Sequence, residues 1–213
     1  EMSILNRNRL FRTLAAVTFC TGFVYTSDAT LVVYYMEDSL GVSYQDVASM
    51  FFTMALLGIL VMVFVLKPAV RTLGEKGLLV VTCLCGATHN ALYGVAASRT
   101  TVFVALCASE FTSLTFPVQI SMRSNLVDET EQGRVQGAFQ SLTAVADAVG
   151  PMVLQLIYHR TEHGALFGPG TMFLFAALVY FSGGLLSCSL PAKQVNSRTR
   201  SGDDLCSDSL ESA

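Results

Sequence analysis

Three carboxylates stand inside stretches that are otherwise apolar: Asp28, Glu110 and Asp147. No Lys or Arg shares those stretches to neutralise them. An ionised side chain at the centre of a bilayer costs at least ~2.5–3.5 kcal/mol. Acids in such places therefore face a cavity, take up a proton or cation, or bond to a neighbouring helix. The chemistry open to them is reversible ion binding and proton relay. Gln119 and Tyr25 are the polar residues best placed to join them, while His89 and Asn90 read as helix-to-helix hydrogen bonds rather than ligands. Nothing resembles a phosphate-binding loop, a nucleophile elbow or a metal-ligand pair. An enzyme, a resident metal, a cofactor and a nucleic-acid partner are accordingly not expected.

The elements that carry these acids are long. Only 14% of the 213 residues are charged and 52% are hydrophobic, with a mean hydropathy of +0.53. A soluble domain carries about 25% charged residues, so the bilayer is the expected solvent. Six apolar runs are long enough to cross it: about 14–36, 47–66, 77–97, 101–122, 135–158 and 171–190. Residues 1–13 form a basic lead-in, and residues 191–213, rich in Ser and Asp, form a tail expected to be disordered. The fold class expected is an all-α membrane protein with six transmembrane helices. Counting a rise of about 1.5 Å per residue, Asp28 and Glu110 lie on the order of 10 Å from the outer ends of their spans, with Asp147 slightly deeper. The six cysteines fall mostly in apolar runs and read as small apolar fillers.

Six crossings put both termini and the even loops on one side. That side collects Arg7, Arg9, Arg12, Lys67, Arg71, Lys76, Arg123, Arg134, Lys193, Arg198 and Arg200, leaving only Arg99 and Arg160 opposite. All 13 basic residues are thereby assigned, and the positive-inside rule makes both termini cytoplasmic. Two cytoplasmic loops hold opposite charges and form a candidate gate: Arg71, Glu75 and Lys76 in one, Arg123, Asp128, Glu129 and Arg134 in the other. Ordinary loop capping accounts for the same charges, with acids favoured at a helix start. Gly150-Pro151 and Pro117 interrupt their spans and read as hinges, or as close packing through Gly137, Ala144, Ala148 and Gly150.

From Ser124 to Glu129, then Gln132-Gly133-Arg134-Val135-Gln136-Gly137, then Gly150-Pro151 and Tyr158, the chain resembles a signature of the major facilitator superfamily. Within it the sequence is similar to the tetracycline-resistance-type drug:proton antiporters and the hippocampus-abundant-transcript-like proteins. Glu37-Asp38, Leu73-Gly74-Glu75-Lys76, Pro68 and Pro117 agree in order, so the resemblance covers roughly residues 8–190. It implies that the six spans are the carboxy-terminal half, helices 7–12, of a twelve-helix secondary transporter, whose partners are the lipid bilayer, a missing amino-terminal six-helix half and a small-molecule solute. It also implies proton- or ion-coupled alternating access. In the bacterial antiporters an intramembrane His and Asp occupy the positions of Gly58 and Gly86 here, so coupling in this chain falls to Asp147, Asp28 and Glu110. The alternatives are a non-transporting membrane interaction or assembly protein on the same fold, and an unrelated six-span channel.

Overall fold

The computed structural model describes residues 2–40, 42–96, 98–161, 164 and 168–191; the side chains of residues 2, 3, 29, 36–40 and 99 are not among those described. The tail expected after Pro191 therefore lies outside the described residues, and the side chains of Glu37 and Asp38 lie outside the described side chains. Every described element is helical. A 3-10 turn, Met2–Asn6, leads into α1 (Arg9–Leu40), α2 (Tyr44–Leu60), α3 (Leu66–Gly94), α4 (Arg99–Ser109), α5 (Thr115–Ser124), α6 (Glu129–Thr161) and α7 (Thr171–Cys188).

Five helical stretches among the described residues are long and apolar enough to cross a membrane: Arg9–Tyr35, Tyr44–Gly94, Thr100–Ser124, Glu129–Thr161 and Gly168–Cys188. The sequence predicts six. The difference lies at residues 67–76, expected to be a loop, where the chain stays helical on both sides of a single break at Gly74 (φ 69, ψ 168). That conformation strains any residue with a Cβ, and glycine adopts it freely. Ahead of it, Pro68 offers no N–H to the Phe64 carbonyl, and a π turn, Val61–Val65, takes up the mismatch.

Local signals set the other boundaries. Ser43 caps α2, its Oγ accepting from the Asp46 N–H while the Asp46 carboxylate accepts from the Ser43 N–H, each at 3.3 Å. Ser98 caps α4 through the Thr101 N–H. The span expected at 101–122 is assembled from α4, a 3-10 stretch Glu110–Leu114, and α5. Pro117 explains the interruption: it cannot donate to the Ser113 carbonyl, and its ring crowds that turn.

Two apolar clusters fill the interior. One gathers Leu14, Val17, Leu78, Leu79, Val118, Met122, Val135 and Phe139 around the end that also holds the α5–α6 turn. The other gathers Val24, Leu31, Tyr93, Ala105, Ala146, Leu154 and Phe173 toward the opposite end. Between them lies a buried polar belt of Thr18, Thr21, Ser27, His89, Asn90, Glu110, Thr112 and Gln119. The outward surface stays apolar, as Phe52, Ile59, Val63 and Phe64 show.

Helix α1 meets α6 through small residues. A Cβ on Gly150 would lie 1.9 Å from the Phe23 carbonyl oxygen and 2.7 Å from Ser27 Oγ, and one on Gly22 would lie 3.3 Å from the Ala146 Cβ. The expected set of Gly137, Ala144, Ala148 and Gly150 therefore shrinks to Gly150, with Ala146 added. Ala144 and Ala148 are exposed, and Gly137 has open space around it. Overpacking a close helix contact costs about 1–3 kcal/mol. Gly150→Ala should lower the thermal unfolding midpoint of the detergent-solubilised full-length protein, while Gly137→Ala should leave it unchanged or raise it. Equal midpoints for the two variants would contradict this packing.

Candidate functional site

The belt is organised by three helices that bring acids to one level. Asp28 on α1 meets α3, where His89 Nε2 lies 2.5 Å from Asp28 Oδ2 and His89 Nδ1 lies 3.1 Å from the Cys85 carbonyl oxygen. A carbonyl only accepts, so Nδ1 carries a hydrogen. Nε2 therefore faces the carboxylate either as a donor in an imidazolium or as the acceptor of a carboxylic acid proton. Both arrangements place one hydrogen between α1 and α3. Asn90 supports the geometry: its Nδ2 donates to the Gly86 carbonyl at 3.1 Å and to Asp28 Oδ2 at 3.4 Å, and it lies 2.9 Å from His89 Nε2, where an amide N–H suits the ring nitrogen as acceptor. Tyr93 and Tyr180 wall the imidazole, edge-on at 5.5 and 6.0 Å. Asp28 Oδ1 has no hydrogen-bond partner among the described residues.

Glu110 approaches from the 3-10 stretch. Its carboxylate lies over Gly58, where an added Cβ would come within 2.6 Å of Oε2. Gly86 is covered in the same manner by the Tyr180 ring, 2.7 Å from where its Cβ would be. Thus the two positions at which the resemblance places an ionisable pair are glycines here, and the space over one of them holds an acid from another helix. Asp28, His89 and Glu110 line a common cavity of about 370 Å³.

Asp147 on α6 accepts a hydrogen bond from Thr26 Oγ1 at 2.8 Å. Pro151, four residues on, has no N–H for the Asp147 carbonyl. Asp147 lines a second cavity of about 450 Å³ together with Gln119, Arg123 and Tyr25. Tyr25, Thr26, Thr112, Ser113 and Tyr180 line both cavities, so the two acid groups share a wall. The Thr112 and Thr115 hydroxyls on the larger cavity have no protein partner among the described residues. Thr18, Thr21 and Thr26 are among the lining residues that are not sequence-predicted candidates. With Gly22 and Tyr25 they recur at helical spacing along one face of α1, a polar stripe visible in the sequence once the 3.6-residue period is applied.

The residues expected to form a gate are divided. Glu75 is buried just past the Gly74 break and accepts from Ser121 Oγ and, at 3.0 Å, from Asn125 Nδ2, tying α3 to α5. Gln136 ties α6 to α5 through the Ile120 carbonyl and Ser124 Oγ. Arg71, Asp128, Glu129 and Arg134 are exposed and Lys76 is half-buried. Arg7 in the lead-in reaches Glu131 in the first turn of α6 at 2.7 Å, and the carboxylate holds its guanidinium above the usual range. Arg123 departs from the expected loop position. It is 4% exposed and turns into the belt, donating through Nη2 to Gln119 Oε1 at 2.6 Å and Thr18 Oγ1 at 2.7 Å, with the Phe139 ring centroid 4.1 Å from its Cζ.

Relatives are distant but consistent. Hippocampus abundant transcript-like protein 1 of Bos taurus is 22% identical over 74% of this chain, which spans 34% of that protein. Tetracycline resistance protein, class C, of Escherichia coli is 26% identical over 68% of the chain, spanning 37% of that protein. Hippocampus abundant transcript 1 protein of Homo sapiens is 23% identical over 59% of the chain, spanning 26% of it. The chain thus covers about a third or less of the length of these relatives. The family profile of the Major Facilitator Superfamily matches residues 14–204, nearly the whole run of apolar helices and the polar belt they enclose; the chain belongs to that superfamily.

Proposed function

We propose that this chain supplies the carboxy-terminal six-helix half of a secondary transporter that moves a small solute by alternating access, driven by protons. The observation that carries the reading is the set of ionisable groups brought together by four membrane-spanning stretches: the Asp28–His89 pair, Glu110 and Asp147, around two cavities with a shared wall. Superfamily membership supports transport, and a relative named for tetracycline resistance supports a small solute. The Gly58 and Gly86 positions argue against the intramembrane pair that the resemblance to the bacterial antiporters implies.

Six crossings follow from length. The stretch Tyr44–Gly94 has 51 residues, about 76 Å at 1.5 Å per residue and more than twice the ~30 Å hydrocarbon layer. A return at Gly74 makes it two spans. With six crossings, the basic end that holds Arg7, Arg71 and Arg134 is the cytoplasmic one. There Glu75, Arg123 and the exposed charges of the α5–α6 turn serve as the inner gate, and the interruptions at Pro117 and Gly150-Pro151 as its hinges. The solute lies in the larger cavity, beside Asp147, Gln119 and Tyr25. The proton resides in the Asp28–His89 contact and passes to Glu110 or Asp147 as the cavity changes its exposure. An amino-terminal six-helix half closes the other wall.

Two measurements test this on the full-length protein. Removing one member of a buried ion pair costs about 3–5 kcal/mol, while replacing both with apolar residues costs far less. Asp28→Leu alone should therefore lower the thermal midpoint sharply, and the double variant Asp28→Leu/His89→Leu should recover most of it. The recovered variant should still fail to couple: in proteoliposomes with a trapped pH dye, a solute panel that elicits pH changes with the wild type should elicit none with it. A coupled double variant would refute the proton site. Separately, Asp147→Asn should cut gradient-driven uptake by about tenfold or more, since it removes a charge-assisted contact in the cavity. Unchanged uptake across the panel would remove Asp147 from the mechanism.

A further inference from the structure

Arg123 is a buried cation without a counter-charge. Among the described residues no carboxylate lies within ion-pair distance of it. Its Nη2 is spent on two neutral oxygens, its Nε has no partner, and Phe139 covers one face. A guanidinium stays charged in proteins and offers five donors in a planar fork. Burying one unpaired is costly, so a fold that keeps it there leaves a charge to be balanced. Helix polarity offsets part of the cost, because Arg123 lies in the last turn of α5. That effect does not require the side chain to turn into the belt, and the exposed Arg134 nearby shows a basic residue that remains in solvent.

The guanidinium instead lines the same cavity as Asp147, alongside the unpartnered hydroxyls of Thr112 and Thr115. At about 450 Å³ the cavity falls within the roughly 300–1,000 Å³ usual for small-molecule sites. Resting on the transport reading above, we propose that the solute carries an anionic group, a carboxylate, and that it docks on Arg123. The planar fork matches a carboxylate in two parallel hydrogen bonds. Thr112 and Thr115 line the same cavity, while Asp147 occupies another part of its wall and excludes a second negative charge there. Gln119 and Thr18 hold the guanidinium in register, and Phe139 prevents it from swinging away.

Three isosteric probes decide the question on purified full-length protein in detergent: benzoate, neutral benzamide and cationic benzylammonium. Ligand binding to the folded state raises the unfolding midpoint in a concentration-dependent manner. Benzoate should raise it, and the other two should not at equal concentration. Arg123→Gln should raise the half-maximal benzoate concentration about tenfold or more, as expected for losing a charged hydrogen-bond pair, and Arg123→Lys should keep part of the response. A benzoate shift no larger than that of benzamide, or one untouched by Arg123→Gln, overturns the proposal. Should the Gln variant not fold, the wild-type comparison of benzoate with benzamide decides alone. The assay reads binding without flux. Its failure beside intact proton-coupled uptake would refute the anion alone, and the converse result would refute transport alone.

Discussion

A polar group in hydrocarbon has no water to turn to, and whatever it needs must come from a neighbouring helix. That constraint shapes this molecule more than any other. Between two apolar clusters the helices exchange hydrogen bonds along α1 from Thr18 to Asp28, about 15 Å at 1.5 Å per residue: Asp28 with His89, Asp147 with Thr26, Arg123 with Thr18 and Gln119, Gln119 with Thr21. Helix α1 appears in nearly every pair, and its polar stripe is the axis around which α3, α5 and α6 find their rotations. Apolar packing would tolerate many rotations of these helices; the belt tolerates few.

Backbone interruptions accompany the belt. Pro117 turns one span into a 3-10 stretch that begins with Glu110, and Pro151 deprives the Asp147 carbonyl of its helical donor. Gly150 brings α6 against the α1 backbone at the level of Phe23 and Ser27. Two of the acids thus stand where a helix is loosened, and one of these loosened segments is pinned by a glycine contact. These side chains are mounted on backbone whose own bonds are already incomplete, which lowers the cost of moving them.

The spans, the three acids, Gln119 and Tyr25 were legible in the sequence because each is a local fact: a long apolar run, or a charge where none belongs. What was not legible depends on rotation about helix axes. The spans that carry His89 and Arg123 show no continuous polar face to announce which way either residue turns. From the sequence His89 is expected to hydrogen-bond between helices; it does so, and its partner is one of the acids. Arg123 sits beside a charged loop and read as part of it, although its side chain reaches back nearly a turn to Gln119. The threonine stripe of α1 escaped notice because threonine barely lowers the hydropathy of a span. Residues 67–76 read as a loop since basic residues cluster there, yet only Gly74 breaks the helix.

Gly58 is the quiet counterpart of Glu110. The carboxylate occupies volume that any side chain at position 58 would claim, so reach on one helix is matched by emptiness on the other. Volume at that contact is shared between two helices, so positions 58 and 110 can change size only together: a side chain gained at one must be given up at the other.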